Sequence, residues 1–208
     1  MGKFVIFGAG GRAGLQAVAE ARRRGHEVTA VVRDPARYSG PADEGVKVVA
    51  GDVTAVADVA ALAAGHDAAI NMAAVVGVDT FFTDAAHALI QGLGQAGVER
   101  LVAGGLAPLL PGPDGVRLLD APGSPAEFRP FCLAHAAGYE VLRSEAGELS
   151  WVYVSPVGDF DHEGGRTGSY AIGEHGDMTV RISYPDFAIA VLDEAETPKH
   201  HGIHLAVA

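Results

Sequence analysis

Lys3-Phe4-Val5-Ile6-Phe7-Gly8-Ala9-Gly10-Gly11-Arg12-Ala13-Gly14 is the stretch that decides the fold. Residues 4 to 7 are apolar without a break, the pattern of a strand buried on both faces in a parallel sheet. Glycines at 8, 11 and 14 form G-x-x-G-x-x-G directly behind it, and Leu15, Val18, Ala19 and Arg22 follow at helical spacing up to Gly25. Strand, glycine turn and helix in this order make a phosphate cradle. Backbone without Cβ lets a pyrophosphate approach, and a helix N-terminus offers unpaired N–H groups and the positive end of its dipole. Gly14 is expected to let the helix lie against the strand. Gly8, Gly10, Gly11, Arg12, Ala13 and Gly14 are therefore candidate cofactor-binding residues.

Working outward, further buried strands are expected over 28–32, 46–50, 68–71, 101–103, 151–154 and 203–207. Helices are expected over 55–64 (with Thr54 as its cap), from Phe82 to Gly97, over 126–146 and over 184–195. Strands separated by helices of this length give right-handed βαβ units. The expected architecture is α/β: a Rossmann-like, doubly wound parallel sheet with helices on both faces, forming a single NAD(P)-binding domain over 1–208. The rhythm breaks twice. Gly105–Pro125 holds five prolines and four glycines in 21 residues, so it reads as a long loop over the carboxyl ends of the sheet. Residues 158–181 are glycine-rich and polar, with a small hairpin expected around Thr167–Ile172. The loops at about 105–125 and 158–180 are the expected substrate side.

Composition narrows the function classes. The chain has 208 residues, 49% of them hydrophobic and 20% charged, enough to bury a large core and too apolar for disorder. Fifteen basic against 26 acidic residues give a net charge of −11, which repels a nucleic-acid backbone. An anionic cofactor then needs a local positive pocket. The uncharged run from Ala68 to Val78 is too short to cross a bilayer, and no secretory signal opens the chain. The single Cys132 excludes an internal disulfide and a thiolate metal cluster, and with the rest points to the cytoplasm. The expected partner is a small-molecule substrate, with no nucleic acid and no membrane, and the chain is expected to be a monomer or a homodimer.

The end of the second strand sets the cofactor's phosphate preference. A carboxylate there suits a ribose 2′-hydroxyl and an arginine a 2′-phosphate. The chain reads Val31-Val32-Arg33-Asp34. Arg33 comes first, and Arg12 within the turn gives a second guanidinium to bracket a phosphate. This favours NADP, while Asp34 leaves NAD open.

These blocks, with Arg22-Gly25-His26-Glu27-Val28, Gly51-Asp52-Val53, Gly104-Gly105, Trp151 to Pro156 and Gly165-Arg166-Thr167-Gly168, resemble the atypical short-chain dehydrogenase/reductase group. The resemblance is to its NAD(P)H-binding, NmrA-like branch, and within it to the small flavin reductase and biliverdin reductase B-type proteins. It covers nearly the whole chain and implies further cofactor contacts. Asp52 and Val53 would flank the adenine, and Asn71, Met72 and Ala73 would border the ribose. Gly104 and Gly105 would lie near the nicotinamide, with Ser155, Pro156 and Val157 closing that site.

On the catalytic side the Tyr-x-x-x-Lys pair of the wider superfamily is missing. The nearest match, Tyr139 to Arg143, puts a guanidinium where an ammonium would lower the phenol's pKa, and Tyr139 is expected to pack or face solvent. The resemblance places Pro108 where small relatives carry a serine, whose role is lost or moved to Ser124. It also places His135 near the substrate, where an imidazole could donate a proton or hold an anion; otherwise His135 is an ordinary, partly exposed helix histidine. His200, His201 and His204 read as a solvated tail rather than a metal site. The expected function is an NAD(P)H-dependent oxidoreductase passing hydride from NADPH to a small conjugated acceptor such as a flavin or quinone. The alternatives are a non-catalytic NADP(H) sensor and an NADP-using epimerase or isomerase.

Overall fold

A computed structural model describes residues 1–122 and 125–208, so Ser124 lies outside the described residues. The chain runs β1 (Lys3–Phe7), α1 (Arg12–Arg23), β2 (Glu27–Val32), β3 (Val46–Ala50), α2 (Val56–Ala63), β4 (Ala68–Asn71), α3 (Phe81–Ala96) and β5 (Arg100–Gly104). It continues through α4 (Arg129–Glu145), β6 (Ser150–Pro156), β7 (Asp159–Asp161), β8 (Ile172–Gly173), β9 (Arg181–Ser183), α5 (Tyr184–Glu196) and β10 (Ile203–Val207).

Eight strands form one sheet in the order β3-β2-β1-β4-β5-β6-β10-β8, parallel except for β8, which runs antiparallel to β10. The order reverses between β1 and β4. Such a switch point opens a crevice at the carboxyl ends of the strands, where doubly wound folds bind ligands. The apolar runs of the central strands are buried because both faces of the sheet are covered, whereas β3, expected to be buried, lies at the sheet edge with no fully buried residue. Side chains of α1 and α5 pack with Phe4, Ile6 and Ile70 on one face; those of α2, α3 and α4 pack with Val5, Phe7 and Leu101 on the other. Gly97, at φ +71°, ends α3 as a left-handed cap.

Three expectations fail locally. Thr54 does not cap α2: Ala55 holds that position, and the Thr54 hydroxyl donates to Asp52 Oδ1 at 2.7 Å. No hairpin forms at 167–172. Arg166 instead reaches Glu20 on α1 at 3.0 Å, and Thr167 and Gly168 donate backbone N–H groups to Asp186 on α5. The Arg-Thr-Gly block thus fastens the loop to the α1/α5 layer, and the polar residues that suggest a hairpin are spent on that anchor. The C-terminal histidines are not a solvated tail. His200 pairs with buried Glu194, His201 Nδ1 bonds Ser150 Oγ, and His204 lies within β10.

Buried Glu194 also pairs with Arg100 at 2.9 Å, and both side chains are almost fully enclosed. Arg100 donates further to the Glu194 and His200 carbonyls, tying β5, α5 and the entry to β10. Removing one partner strands the other charge in the core. Arg100→Ala is therefore expected to lower unfolding free energy by about 3–5 kcal/mol. A urea titration checks this, and an unchanged midpoint would show the pair to be dispensable.

Candidate active site

The phosphate turn is built by close backbone contacts. Gly8 sits at φ +72°, and a Cβ there would lie 2.4 Å from Ala73 N. A Cβ on Gly14 would lie 2.1 Å from the Gly8 carbonyl oxygen. Gly14 therefore seats α1 against the turn, as expected, and does not itself line the cavity. Gly10 and Gly11 differ: the nearest neighbours of a Cβ there would lie at 3.4 Å, an ordinary contact distance, and both residues line the cavity described next. Gly11 is the N-cap of α1 without a side-chain cap, and no acidic residue occupies the first turn. Gly11 N–H donates to the Gly8 carbonyl at 3.0 Å, while the N–H groups of the first turn of α1 have no intrahelical acceptor and are available to an anion.

From this turn a cavity of about 1170 Å³ extends across the switch point. Small-molecule pockets are typically about 300–1,000 Å³, so this cavity is at the large end of what a ligand site occupies. Gly8, Gly10, Gly11, Arg12, Ala13, Arg33, Asp52, Val53, Met72, Ala73, Gly104, Gly105 and His135 line it together. Asn71, Ser155, Pro156 and Val157 do not. Asn71 Oδ1 accepts from Ala73 N at 3.1 Å and so shapes the loop after β4. Ser155 is wholly buried beneath the double glycine, where its Oγ bonds His204 Nε2 at 2.6 Å. Val157 packs with Leu110 and Ala206 in a separate apolar cluster. The expected loops contribute narrowly. Gly105, Leu106 and Phe160 line the cavity, while Pro108 sits in the turn Ala107–Leu109 outside the lining. Gly176 N donates to Pro111 O at 2.7 Å, linking the two loops to each other.

One end of the cavity is positive. Arg12, Arg33 and Arg37 line it, and Arg12 Nη1 lies 2.5 Å from His162 Nδ1. Asp34 is occupied capping the short turn Pro35–Arg37, where its Oδ1 accepts from Ala36 N. Arg37, four residues beyond Arg33, is the third guanidinium that the sequence reading missed, although the spacing was visible. Asp52 is held below the usual carboxylate range by hydrogen bonds from Thr54 and by the nearby charge of Arg33.

The other end is apolar. Met72, Val75, Val76, Phe81 and Leu106 line it, together with His135. His135 is 4% exposed, so it is not the partly exposed helix histidine of the alternative reading, and the Phe82 ring packs against it, tilted, at 4.0 Å. Its Nδ1 is hydrogen-bonded to the Tyr153 hydroxyl. Tyr139 packs among Trp151, Tyr153 and His204 and is absent from the lining. Near the turn, Phe160 stacks on Tyr184 at 4.1 Å. Phe81, Phe160 and Tyr184 escaped the sequence reading because the fold alone brings their elements, α3, β7 and α5, to the cavity.

The described residues contain no group of histidine, cysteine and carboxylate side chains arranged to hold a metal, and no helix long and apolar enough to cross a membrane.

Comparison with known proteins agrees with this geometry. The chain matches the model of the NAD(P)H-binding family over residues 8–198. A solved structure from Burkholderia pseudomallei, labelled provisionally an exported protein, is 33% identical with a TM-score of 0.86, and the match covers 100% of both chains. One from Bacteroides thetaiotaomicron, labelled provisionally an epimerase, is 34% identical with a TM-score of 0.88, covering 100% of this chain and 96% of the other. One from Streptococcus pneumoniae, labelled provisionally an NADH-flavin reductase, is 30% identical with a TM-score of 0.81, covering 100% and 99%. Three different labels on one fold leave the chemistry to be argued from the site.

Burial fixes the charge state of the histidines behind the cavity. Desolvation, with His204 nearby, lowers His135 to about 3, and desolvation lowers His204 to about 4. In the unfolded chain both titrate near 6.5. Below that pH the unfolded chain takes up protons that the folded chain refuses. Their contribution to stability is thus complete above pH 6.5 and is lost as pH falls towards 4. Glu20, held near 2 by Arg23, Arg166 and Arg24 against its own desolvation, loses its contribution only below the ordinary carboxylate range. The urea midpoint is expected to fall between pH 7 and 5, and to fall less in the double variant His135→Gln/His204→Gln. Parallel curves would assign the loss to other groups.

Proposed function

This chain belongs to the NAD(P)H-binding family, and on that premise we propose that it is an NADPH-dependent reductase of a small, flat, conjugated acceptor. It is an NAD(P)-binding oxidoreductase of Rossmann-like fold, of the atypical short-chain dehydrogenase/reductase type and similar to flavin reductases. The single observation that carries the finer reading is the polarity of the cavity: three guanidiniums at one end and an uncharged, largely apolar wall at the other. A dinucleotide with its phosphates on the turn spans that distance in one direction only.

The residues fit the cofactor. The backbone of Gly10 and Gly11 and the N-terminus of α1 take the pyrophosphate. Arg33 and Arg37, with Arg12, suit a 2′-phosphate, which favours NADPH over NADH. Gly104 and Gly105 leave space for the nicotinamide. When bound, the cofactor supplies the hydride, two electrons with one proton. The acceptor takes a second proton from water and leaves reduced, and the cofactor leaves oxidised. The protein's own part is to orient two rings, exclude water and supply a neutral hydrogen-bond donor, His135. No lysine lines the cavity and Tyr139 lies outside it, so the tyrosine–lysine proton relay of the wider superfamily has no counterpart in this reading. We place this activity in the cytoplasm, where reduced nicotinamide cofactors are held.

Two measurements test the proposal. NADPH is expected to bind more tightly than NADH, and Arg33→Ala to weaken NADPH about tenfold or more while leaving NADH within about twofold. Equal affinities would remove the 2′-phosphate argument. Purified protein is expected to oxidise NADPH with saturable kinetics against at least one of riboflavin, FMN or a quinone. Tight NADPH binding with no turnover on that panel would replace the reductase by a sensor of cofactor state.

A further inference from the structure

We infer that Tyr153 is a positioning residue: its hydroxyl donates to His135 Nδ1, so the neutral imidazole carries its single N–H at Nε2, the nitrogen left for an uncharged acceptor that brings a lone pair into the cavity. The inference rests on the reductase reading for its substrate and on geometry alone for the tautomer.

Tyr153 and His135 are each 4% exposed, and their side chains are hydrogen-bonded. Burial keeps the Tyr153 phenol protonated, and its O–H has no other acceptor among the described residues, so donating to His135 is the arrangement that leaves no buried proton unpaired. The Nδ1 it meets must then be the bare nitrogen, which places the imidazole proton on Nε2. Nε2 has no hydrogen-bond partner among the described residues. Yet the one buried side-chain polar atom left unpaired among them is Tyr38 Oη. Nε2 is therefore not sealed in the core; it opens on the cavity that His135 lines. The imidazole cannot rotate freely, because Phe82 covers one face at 4.0 Å and the Tyr153 ring meets it edge-on at 5.7 Å.

The titratable groups that face this pair are His204 on β10, held neutral by burial, Tyr139 one turn along α4, and Cys132 one turn back, whose thiol burial pushes up. None places a charge beside His135 at neutral pH.

The chemistry of the acceptor follows. As hydride arrives on a quinone or an isoalloxazine ring, negative charge grows on a carbonyl oxygen or ring nitrogen. A fixed N–H donor stabilises that charge without giving up its proton. The proton that completes the reduction comes from water. Charged groups of an acceptor have no partner at this end, since Arg12, Arg33 and Arg37 all belong to the phosphate and adenosine end. Riboflavin is therefore expected to be reduced more efficiently than FMN, which carries the same ring with an added phosphate.

Histidine-selective 15N NMR of the NADPH-loaded protein reads the tautomer directly, with His135→Ala identifying the signal. Between pH 5.5 and 8 the His135 ring is expected to stay neutral, bare at Nδ1 and protonated at Nε2. Tyr153→Phe is expected to shift it to a mixture of tautomers, to lower kcat about tenfold, and to leave NADPH affinity within about twofold. An Nδ1–H tautomer in the wild type, an imidazolium at pH 6, or a spectrum unchanged in Tyr153→Phe overturns the inference. FMN reduced as efficiently as riboflavin overturns its statement about acceptor charge. Absence of turnover in the wild type overturns the reductase reading, while the spectra still decide the role of Tyr153.

Discussion

The structure depends on how closely α1 approaches the end of β1. A methyl group on Gly14 would overlap the Gly8 carbonyl, and one on Gly8 would overlap the backbone of Ala73. With both positions bare, three backbone segments meet: the turn, the first turn of α1 and the loop after β4. That meeting leaves the N-terminus of α1 facing the crevice at the switch point. The positions of the arginines on the β2 side and of the apolar wall beyond β5 follow, because both are set by strands in register with β1.

Behind the apolar wall the molecule uses buried polar groups in pairs. Tyr153 bonds His135 and Ser155 bonds His204, all four within one layer under Gly105. Each pair joins a hydroxyl to one ring nitrogen, and His135 keeps Nε2 for the cavity. Burial also keeps both imidazoles uncharged. A charge-free wall and an anion-binding turn at opposite ends of one cavity are the electrostatic basis for ordering a dinucleotide along it.

Much of this was legible in the sequence, for reasons that differ by residue. Val5 to Phe7 and Leu101 to Ala103 announced themselves as strands because burial on both faces leaves no polar position in them. Gly8, Gly11 and Arg33 announced a glycine turn with a guanidinium beside it because spacing to a strand end suffices to place them. Ser155, which resemblance set beside the nicotinamide, lies under Gly105 and outside the cavity lining, and its contact with His204, on a strand far along the chain, has no local signal. His200, His201 and His204 read as a polar tail because nothing local reveals Glu194, Ser150 and Ser155 waiting across the sheet edge. Thr167–Ile172 read as a hairpin, and the partners of Arg166, Thr167 and Gly168, Glu20 and Asp186, lie on two helices brought together only by the fold. Tyr153 was invisible as a functional residue because an aromatic in a buried strand is ordinarily core.

The central claim is the direction in which the dinucleotide lies. A crystal structure of the protein with NADPH tests it most directly. The account predicts the 2′-phosphate between Arg33 and Arg37, the pyrophosphate on the backbone of Gly10 and Gly11, and the nicotinamide over Gly104 and Gly105 within reach of His135. A nicotinamide lying against Asp52 and Val53, or a 2′-phosphate away from both arginines, would contradict it.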